Sequence, residues 1–178
     1  MDFRDVAKLA LEDYDRQLKR AMQGITQEEA RWMPAPESNH ILWILWHMGR
    51  MEDMWGQKYL AGREELWTRD KWYERLHHRP DTNGAGDSIE DVRNFPGVTV
   101  EEVEAYRAAA REALMPVIDS LTADNLPEKY PDHWRHAPDR APTVAWVLAR
   151  LPVENSQHTG HIAYIRGMYA SLKKHGKL

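Results

Sequence analysis

The chain has 178 residues, a formal net charge of −4 and no cysteine. This length suits one domain with a real core, so we expect a single domain over residues 1–178. The lack of cysteine excludes disulfides, thiolate metal ligands and a cysteine nucleophile. Lysine and arginine form no basic stripe, so no nucleic-acid partner is expected. No apolar run reaches the roughly 18 residues of a membrane span, and none resembles a signal peptide, so we expect a cytoplasmic protein without a membrane partner.

The N-terminal region predicts two helices. Apolar residues over Phe3–Ala21 recur at three- to four-residue steps, which predicts an amphipathic helix that ends near Gly24. The segment Thr26–Glu29 has the form of a capping box and predicts a short second helix, which the following prolines should close.

The third predicted helix contains a histidine in an apolar environment. Ser38 or Asn39 is expected to cap this helix, which should run to about Gly62. From Ile41 to Met48 every position is apolar except His47, and a helix that is apolar all round is buried. Burial disfavours the charged imidazolium, so His47 should be neutral and able to bind a metal. The alternative is a buried histidine that only bonds to a backbone carbonyl.

The middle of the chain is less regular. A brief helix is predicted over Arg69–Leu76, and the segment His77–Val98 that follows has no periodicity. Loops of this length are uncommon in compact domains and are usually functional or disordered. Thr99–Glu102 forms a second capping box, which predicts a long helix to about Leu121 with a kink at Pro116.

The last predicted helix carries the second group of candidate ligands. Residues 123–141 should be irregular, and a helix is predicted over Pro142–Lys174. On this helix Glu154 and His158 are four residues apart and share one face, and His161 lies close to the same line. A carboxylate and one or two imidazoles on one helical stripe are what a metal site on a bundle helix requires. A solvated surface pair is the alternative interpretation.

The other histidines give weaker signals. The segments Glu37–His40 and Glu74–His77 both have the E-x-x-H spacing of di-iron bundles, but neither lies inside a long predicted helix. The pair His77–His78 is expected to be solvated. His133 and His136 are also expected in a solvated loop, although an approach of either to the metal site is left open.

Three passages of the sequence resemble the DinB/YfiT-like metal-binding four-helix bundles. They are Thr26–Pro36, Leu45–Asp53 and Glu154–Arg166, and the likeness covers nearly the whole chain. It is nearest to the branch that contains the mycothiol-dependent maleylpyruvate isomerase and related thiol transferases. The resemblance implies an all-α fold, a four-helix bundle with long irregular connections.

The resemblance also implies a set of metal ligands. In the family, a histidine of the second long helix and a pair four residues apart in the last helix bind the metal. Carried over, this pattern falls on His47, Glu154 and His158. His161 matches a position that the branch often fills with histidine but does not normally use, so it is a possible additional ligand. One divalent ion is expected, with zinc as the first choice and nickel or iron as alternatives.

The function that the resemblance implies is thiol chemistry on a small-molecule substrate. A low-molecular-weight thiol would be ionised by the metal and would attack an electrophile or assist an isomerisation. Three protein ligands leave a coordination position open for such a group or for water. Two other functions stay open: a non-catalytic metal-binding or stress-related bundle, with a homodimer possible, and a metal-dependent hydrolase.

Overall fold

The computed structural model describes residues 1–134 and 137–178, and every regular element in these ranges is helical. Within them, no helix is both long enough and apolar enough to cross a membrane. A π-helical segment (Met54–Leu60) continues the third helix directly. In chain order the α-helices are α1 (Phe3–Met22), α2 (Gln27–Arg31), α3 (Ile41–Asp53), α4 (Leu66–Arg69), α5 (Trp72–Arg75), α6 (Ile89–Arg93), α7 (Val100–Ser120) and α8 (Val144–Lys174).

The four long helices α1, α3, α7 and α8 form the bundle. Helix α3 packs against both α7 and α8, and α1 packs against α8. All thirteen residues of α3 are buried, because this helix is central to the bundle. The predicted all-α bundle is therefore confirmed, and α7 continues beyond Pro116.

The capping boxes read from the sequence have different outcomes. At α7, the Thr99 hydroxyl accepts from the amide of Glu102, and the Glu102 carboxylate accepts from the amide of Thr99. At α2, only half of the box forms: Thr26 accepts from the amide of Glu29 at 3.2 Å. The Glu29 carboxylate instead accepts a 2.8 Å bond from the guanidinium of Arg166 on α8. A tertiary ion pair has replaced the local one.

The cap of α3 is a histidine, so the expectation of Ser38 or Asn39 is wrong. The Nδ1 atom of His40 accepts from the amide of Trp43 at 3.1 Å. Its Nε2 lies 3.1 Å from the carbonyl oxygen of Val92, to which it donates. Both ring nitrogens are thus used in structural bonds, and the second bond depends on a residue that is distant in the sequence.

The buried cap should make stability depend on pH. Burial is the main cause that lowers the pKa of His40 from 6.5 to about 4. The unfolded chain therefore binds the proton first as the pH falls below 6.5, so stability is full above that pH and is lost towards pH 4. Between pH 7 and pH 5 this loss should be about 2 kcal/mol. The variant His40→Asn keeps a capping oxygen but has no imidazole to protonate at this position. Between pH 7 and pH 5 its free energy of unfolding, measured in urea, should fall by about 2 kcal/mol less than that of the native protein.

The other buried histidines do not obscure this comparison, because both proteins contain them. Burial also lowers the pKa of His47, His78 and His158, so some acid sensitivity remains in the variant. Parallel stability curves for the two proteins would show that His40 does not contribute.

The predicted irregular segment after α5 is more ordered than its sequence suggests. It contains α6, where the Ser88 hydroxyl and the Asp91 carboxylate each accept a backbone bond from the other residue. The helix predicted over Arg69–Leu76 is divided into α4 and α5, because Lys71 between them has a left-handed φ of 54°. The expectation of exposure holds for His77 but is wrong for His78, which is half-buried with its ring tilted against that of Trp46 at a centroid distance of 4.7 Å.

A buried carboxylate joins all four long helices. Glu52 on α3 is fully buried and accepts bonds of 2.8 and 2.6 Å from the guanidinium of Arg111 on α7. It also accepts from the amide nitrogen of Asn155 on α8 at 2.8 Å and from the Tyr14 hydroxyl on α1. This network fixes the position of α3 relative to α8, the two helices that carry the candidate ligands.

Candidate metal centre

The structure brings His47, Glu154 and His158 together between α3 and α8. One ligand atom from each side chain lies within 4.8 Å of the other two. The Oε1 atom of Glu154 is 3.1 Å from Nε2 of His158 and 4.0 Å from Nε2 of His47. The two imidazole rings are nearly perpendicular, with centroids 5.0 Å apart. Across the described residues, these three form the group of histidine and acidic side chains that could hold an ion.

The spacing of these atoms suits a small divalent ion. Ligand atoms that lie 2.0–2.2 Å from a tetrahedral metal are about 3.3–3.6 Å from one another. The separations of 3.1 and 4.0 Å bracket that range, so small side-chain adjustments suffice to reach a common ion. Two imidazole nitrogens and one carboxylate oxygen, with no thiolate, are a donor set that zinc, nickel and iron accept.

A backbone carbonyl sets the tautomer of His47. Its Nδ1 lies 2.6 Å from the carbonyl oxygen of Asn83, and since that oxygen can only accept, Nδ1 carries the proton and donates it. The lone pair is therefore on Nε2, the nitrogen that faces Glu154. Such a bond to the outer nitrogen orients the imidazole of a metal ligand and makes it more basic.

The loop that supplies this carbonyl is itself held in place. The Asp87 carboxylate accepts from the indole of Trp43 at 3.2 Å and from the hydroxyl of Thr82 at 2.9 Å. The carbonyl of Thr82 accepts from Arg50 of α3 at 3.1 Å. The ring of Trp43 stacks on His47 with an interplanar angle of 7°. The long connection thus positions His47, one of the candidate ligands.

Gly84 allows the loop to approach His47 closely. Its φ is +90°, and a Cβ at this position would lie 2.7 Å from Nδ1 of His47 and 2.9 Å from the Trp43 ring. Gly86 has a similar φ of +85° but nothing within 4 Å of its Cβ position. The two glycines therefore differ in contact with the site and not in backbone conformation.

This pair of glycines gives a controlled experiment. Gly86→Ala should lower stability by about 1–2 kcal/mol, because it places a side chain in the left-handed region. Gly84→Ala should lower it further, because its Cβ also meets His47 and Trp43. Only Gly84→Ala displaces His47, and we expect it to weaken metal binding about 10–100-fold, as loss of an orienting contact typically does. Zinc titration with a competing chelator measures this. Equal affinities in the two variants would show that the loop contact does not orient the histidine.

Burial keeps both imidazoles of the site neutral. It is the main cause that lowers the pKa of His47, against the opposing bond to Asn83. It also lowers the pKa of His158, and the neighbouring His47 acts in the same direction. A neutral imidazole is the form that binds a metal ion. The two histidines are therefore ready to act as ligands at neutral pH.

Arg150 is a functional candidate that the sequence reading missed. One helical turn before Glu154, its guanidinium forms an ion pair with Oε2 of that residue. The other oxygen, Oε1, faces the two imidazoles. Arg150 thus orients the carboxylate, and its side chain remains 38% exposed beside the site. The i, i+4 spacing of arginine and glutamate on a predicted helix was the available signal.

The remaining histidines that the structure describes lie outside the cluster. His161 is exposed, and its ring stands 5.7 Å from that of His158 without joining the three converging residues. The Nδ1 of His133 lies 2.7 Å from the carbonyl oxygen of Tyr59. His136 falls outside the described residues. The glutamate–histidine segments noted as di-iron signals do not converge either, since His40 caps α3.

A polar cavity of about 730 Å³ adjoins the loop that holds His47. Its lining includes Met54, Lys58, Arg63, Asn83 and His133. None of the three candidate ligands lines this cavity, so the backbone of Asn83 separates it from the cluster.

The described chain is an all-helical bundle, and two neutral imidazoles and a carboxylate meet between two of its core helices. It therefore belongs to the class of helical bundles with one candidate metal centre. A family model described as mycothiol-S-transferase matches residues 7–171, so the chain belongs to the mycothiol-S-transferase family. This match confirms the resemblance to DinB/YfiT-like proteins read from the sequence.

Comparison with solved structures supports the fold. The crystal structure of a conserved protein from Enterococcus faecalis is similar, with a TM-score of 0.78 and 20% sequence identity. The alignment covers 94% of this chain and 97% of the other, and at this identity it speaks for the fold alone. A search of curated proteins gives no match.

Proposed function

We propose that this protein is a metal-dependent transferase that joins the sulfur of a low-molecular-weight thiol, such as mycothiol, to an electrophilic small molecule. The observation that carries the proposal is the convergence of His47, Glu154 and His158 in a member of the mycothiol-S-transferase family. The chain has no cysteine, so the sulfur nucleophile must come from a second molecule. This requirement favours a co-substrate thiol over a covalent enzyme intermediate on sulfur.

Three side chains would hold the ion in this proposal. Nε2 of His47 and Oε1 of Glu154 already face each other, and His158 completes the set from the next turn of α8. When bound, a divalent ion supplies Lewis acidity that lowers the pKa of a thiol and favours the thiolate. Zinc is the ion we propose, because it binds histidine nitrogen and carboxylate oxygen and its d electrons impose no preferred geometry on them.

The surrounding residues have positioning roles. Arg150 holds the outer oxygen of Glu154 and so keeps the inner one directed at the imidazoles. The carbonyl of Asn83 keeps the Nδ1 proton of His47 away from the site. Both contacts prepare the ligand atoms before an ion arrives, which lowers the cost of assembling the site.

A spectroscopic titration tests the proposal directly. Protein loaded with Co²⁺ should develop a sulfur-to-metal charge-transfer band when mycothiol or N-acetylcysteine is added, and the band should saturate. The S-methylated form of N-acetylcysteine serves as control, because it has no thiol proton to lose and should give no such band. If neither thiol changes the spectrum at millimolar concentration, the transferase proposal fails.

A further inference from the structure

A second cavity lies at the end of the bundle where α8 begins. It is an open depression of about 460 Å³, lined by three tryptophans, two basic residues and no acidic residue. The lining comes from the π-helical segment, the connection before α8 and the first turn of α8. None of the three candidate metal ligands takes part in it.

The tryptophans offer flat apolar surfaces to a guest. Trp55 and Trp134 are stacked, with centroids 4.8 Å apart and an interplanar angle of 13°. Trp146 meets Trp55 edge to face at 5.7 Å, and its side chain remains 48% exposed. When an aromatic molecule covers a half-exposed tryptophan, apolar surface of both is removed from water, and this burial favours binding.

The two basic residues decide the charge of that guest. Lys129 and Arg140 line the cavity, and neither is held in an ion pair among the described residues. Tryptophan cages often bind cations through the faces of the rings. Here two positive charges would repel a cation, while an anion would find both charges unneutralised. The lining therefore favours an anionic aromatic molecule.

The cavity and the metal centre are built on the same two chain segments, the third helix with its π-helical continuation and α8. Trp146 precedes Glu154 by eight residues on α8, a distance of about 12 Å along the helix axis. Trp55 follows His47 by eight residues on the opposing chain segment. The contacts Trp55–Trp146 and His47–Glu154 therefore belong to one antiparallel register of the two segments. Arg150 stands midway between them and is partly exposed. Arg150, which is paired with Glu154, is thus a third cationic side chain, placed between the aromatic cavity and the candidate ligands.

We infer that this cavity binds an aromatic carboxylate and is the docking site of the electrophilic second substrate. The binding part of this inference stands on the cavity alone, and the assignment to the second substrate rests on the proposed transferase function. A substrate about 12 Å long would keep its anionic aromatic end on the tryptophans while its reactive end reaches the metal centre.

Calorimetric titration with 2-naphthoate tests the binding. We expect saturable binding with a Kd of about 0.1–1 mM, as suits a ligand of this size. Trp146→Ala should weaken it about tenfold. Tyr164→Ala is the matched control, because Tyr164 is an aromatic residue on the same helix and is 70% exposed outside the cavity. That control should bind naphthoate with unchanged affinity.

A charge-neutral variant separates the electrostatic contribution. Lys129→Gln combined with Arg140→Gln should weaken naphthoate about tenfold and leave the neutral analogue 2-naphthalenemethanol unchanged. Lys174→Gln, at the exposed far end of α8, is the control for loss of a positive charge. All substituted side chains are largely exposed, so the variants should fold, and circular dichroism verifies this.

The outcomes distinguish this inference from the proposed function. Naphthoate binding that is lost in Trp146→Ala supports the site, even if no thiol perturbs the cobalt spectrum and the transferase proposal fails. Absence of saturable binding, or equal binding by native protein and Trp146→Ala, overturns the inference and leaves thiol coordination unaffected. If transfer to a naphthoate-bearing electrophile occurs, Trp146→Ala should raise KM about tenfold with the thiol titration unchanged.

Discussion

His158→Ala should weaken zinc binding more than about 100-fold and abolish thiol-dependent transfer, while the bundle stays folded. In the proposed centre this histidine supplies one of three ligand atoms, and the other two residues of the cluster are already ligands there. The apolar faces of the four long helices do not depend on it, so circular dichroism should show native helix content. Competition with a chelator of known affinity measures the zinc affinity.

His161→Ala is the matched control for this substitution. It removes the same side chain from the same helix, three residues away, but from an exposed position outside the cluster. Zinc affinity and transfer should remain within about twofold of the native values. If His161→Ala and His158→Ala were equally damaging, the ligand assignment would be wrong.

His47→Ala should cost more stability than His158→Ala. Its ring stacks on Trp43 and bonds to the carbonyl of Asn83, so truncation leaves both a cavity and an unpaired buried acceptor. Protein that loses all helix content without metal would instead indicate a structural ion.

The sequence alone predicted which residues could be ligands, but not that they meet. The apolar run around His47 was sufficient to predict burial, and the four-residue spacing was sufficient to place Glu154 and His158 on one face. Their convergence depends on the antiparallel register of α3 and α8, which is fixed by packing across the bundle. Only the family resemblance carried that long-range information.

The parts that were not predicted all depend on tertiary contacts. His40 became a cap because its second nitrogen finds the carbonyl of Val92, and local preference for serine or asparagine could not show this. His78 is half-buried because aromatic residues from distant segments pack around its ring. The loop before α6 lacks periodicity because it is shaped around His47 and not around a repeating apolar face.

The buried charge of Glu52 was also invisible in the sequence. Two adjacent carboxylates within a predicted helix suggest a solvated face, yet the side chains of Glu52 and Asp53 are both fully buried. The charge of Glu52 is neutralised by Arg111 on α7, and nothing in the sequence indicates that these two residues meet. Glu52 accepts a hydrogen bond from Asn155, the residue that follows Glu154 on α8. Helix packing and the candidate metal centre are therefore linked through one network.

Arg111→Met should be strongly destabilising although it lies outside the apolar core. It removes the guanidinium that bonds twice to Glu52 and leaves that carboxylate buried without a counter-charge. Breaking a buried pair in this way typically costs about 3–5 kcal/mol, because the remaining charge stays desolvated. Urea unfolding followed by circular dichroism measures the loss. The exposed pair of Arg16 and Asp13 provides the contrast, and Arg16→Met should cost less than about 1 kcal/mol.

A second substitution separates the loss of attraction from the unpaired charge. In Arg111→Met combined with Glu52→Gln, the buried group is neutral and can still bond to Asn155 and Tyr14. Most of the lost stability should return, because neutralisation removes the desolvation penalty and keeps two of the hydrogen bonds. Zinc affinity should follow the same order, lowest in the single variant, since Asn155 sets the position of the neighbouring ligand. A single variant as stable as the native protein would mean that Glu52 does not need the guanidinium of Arg111, contrary to the network described above.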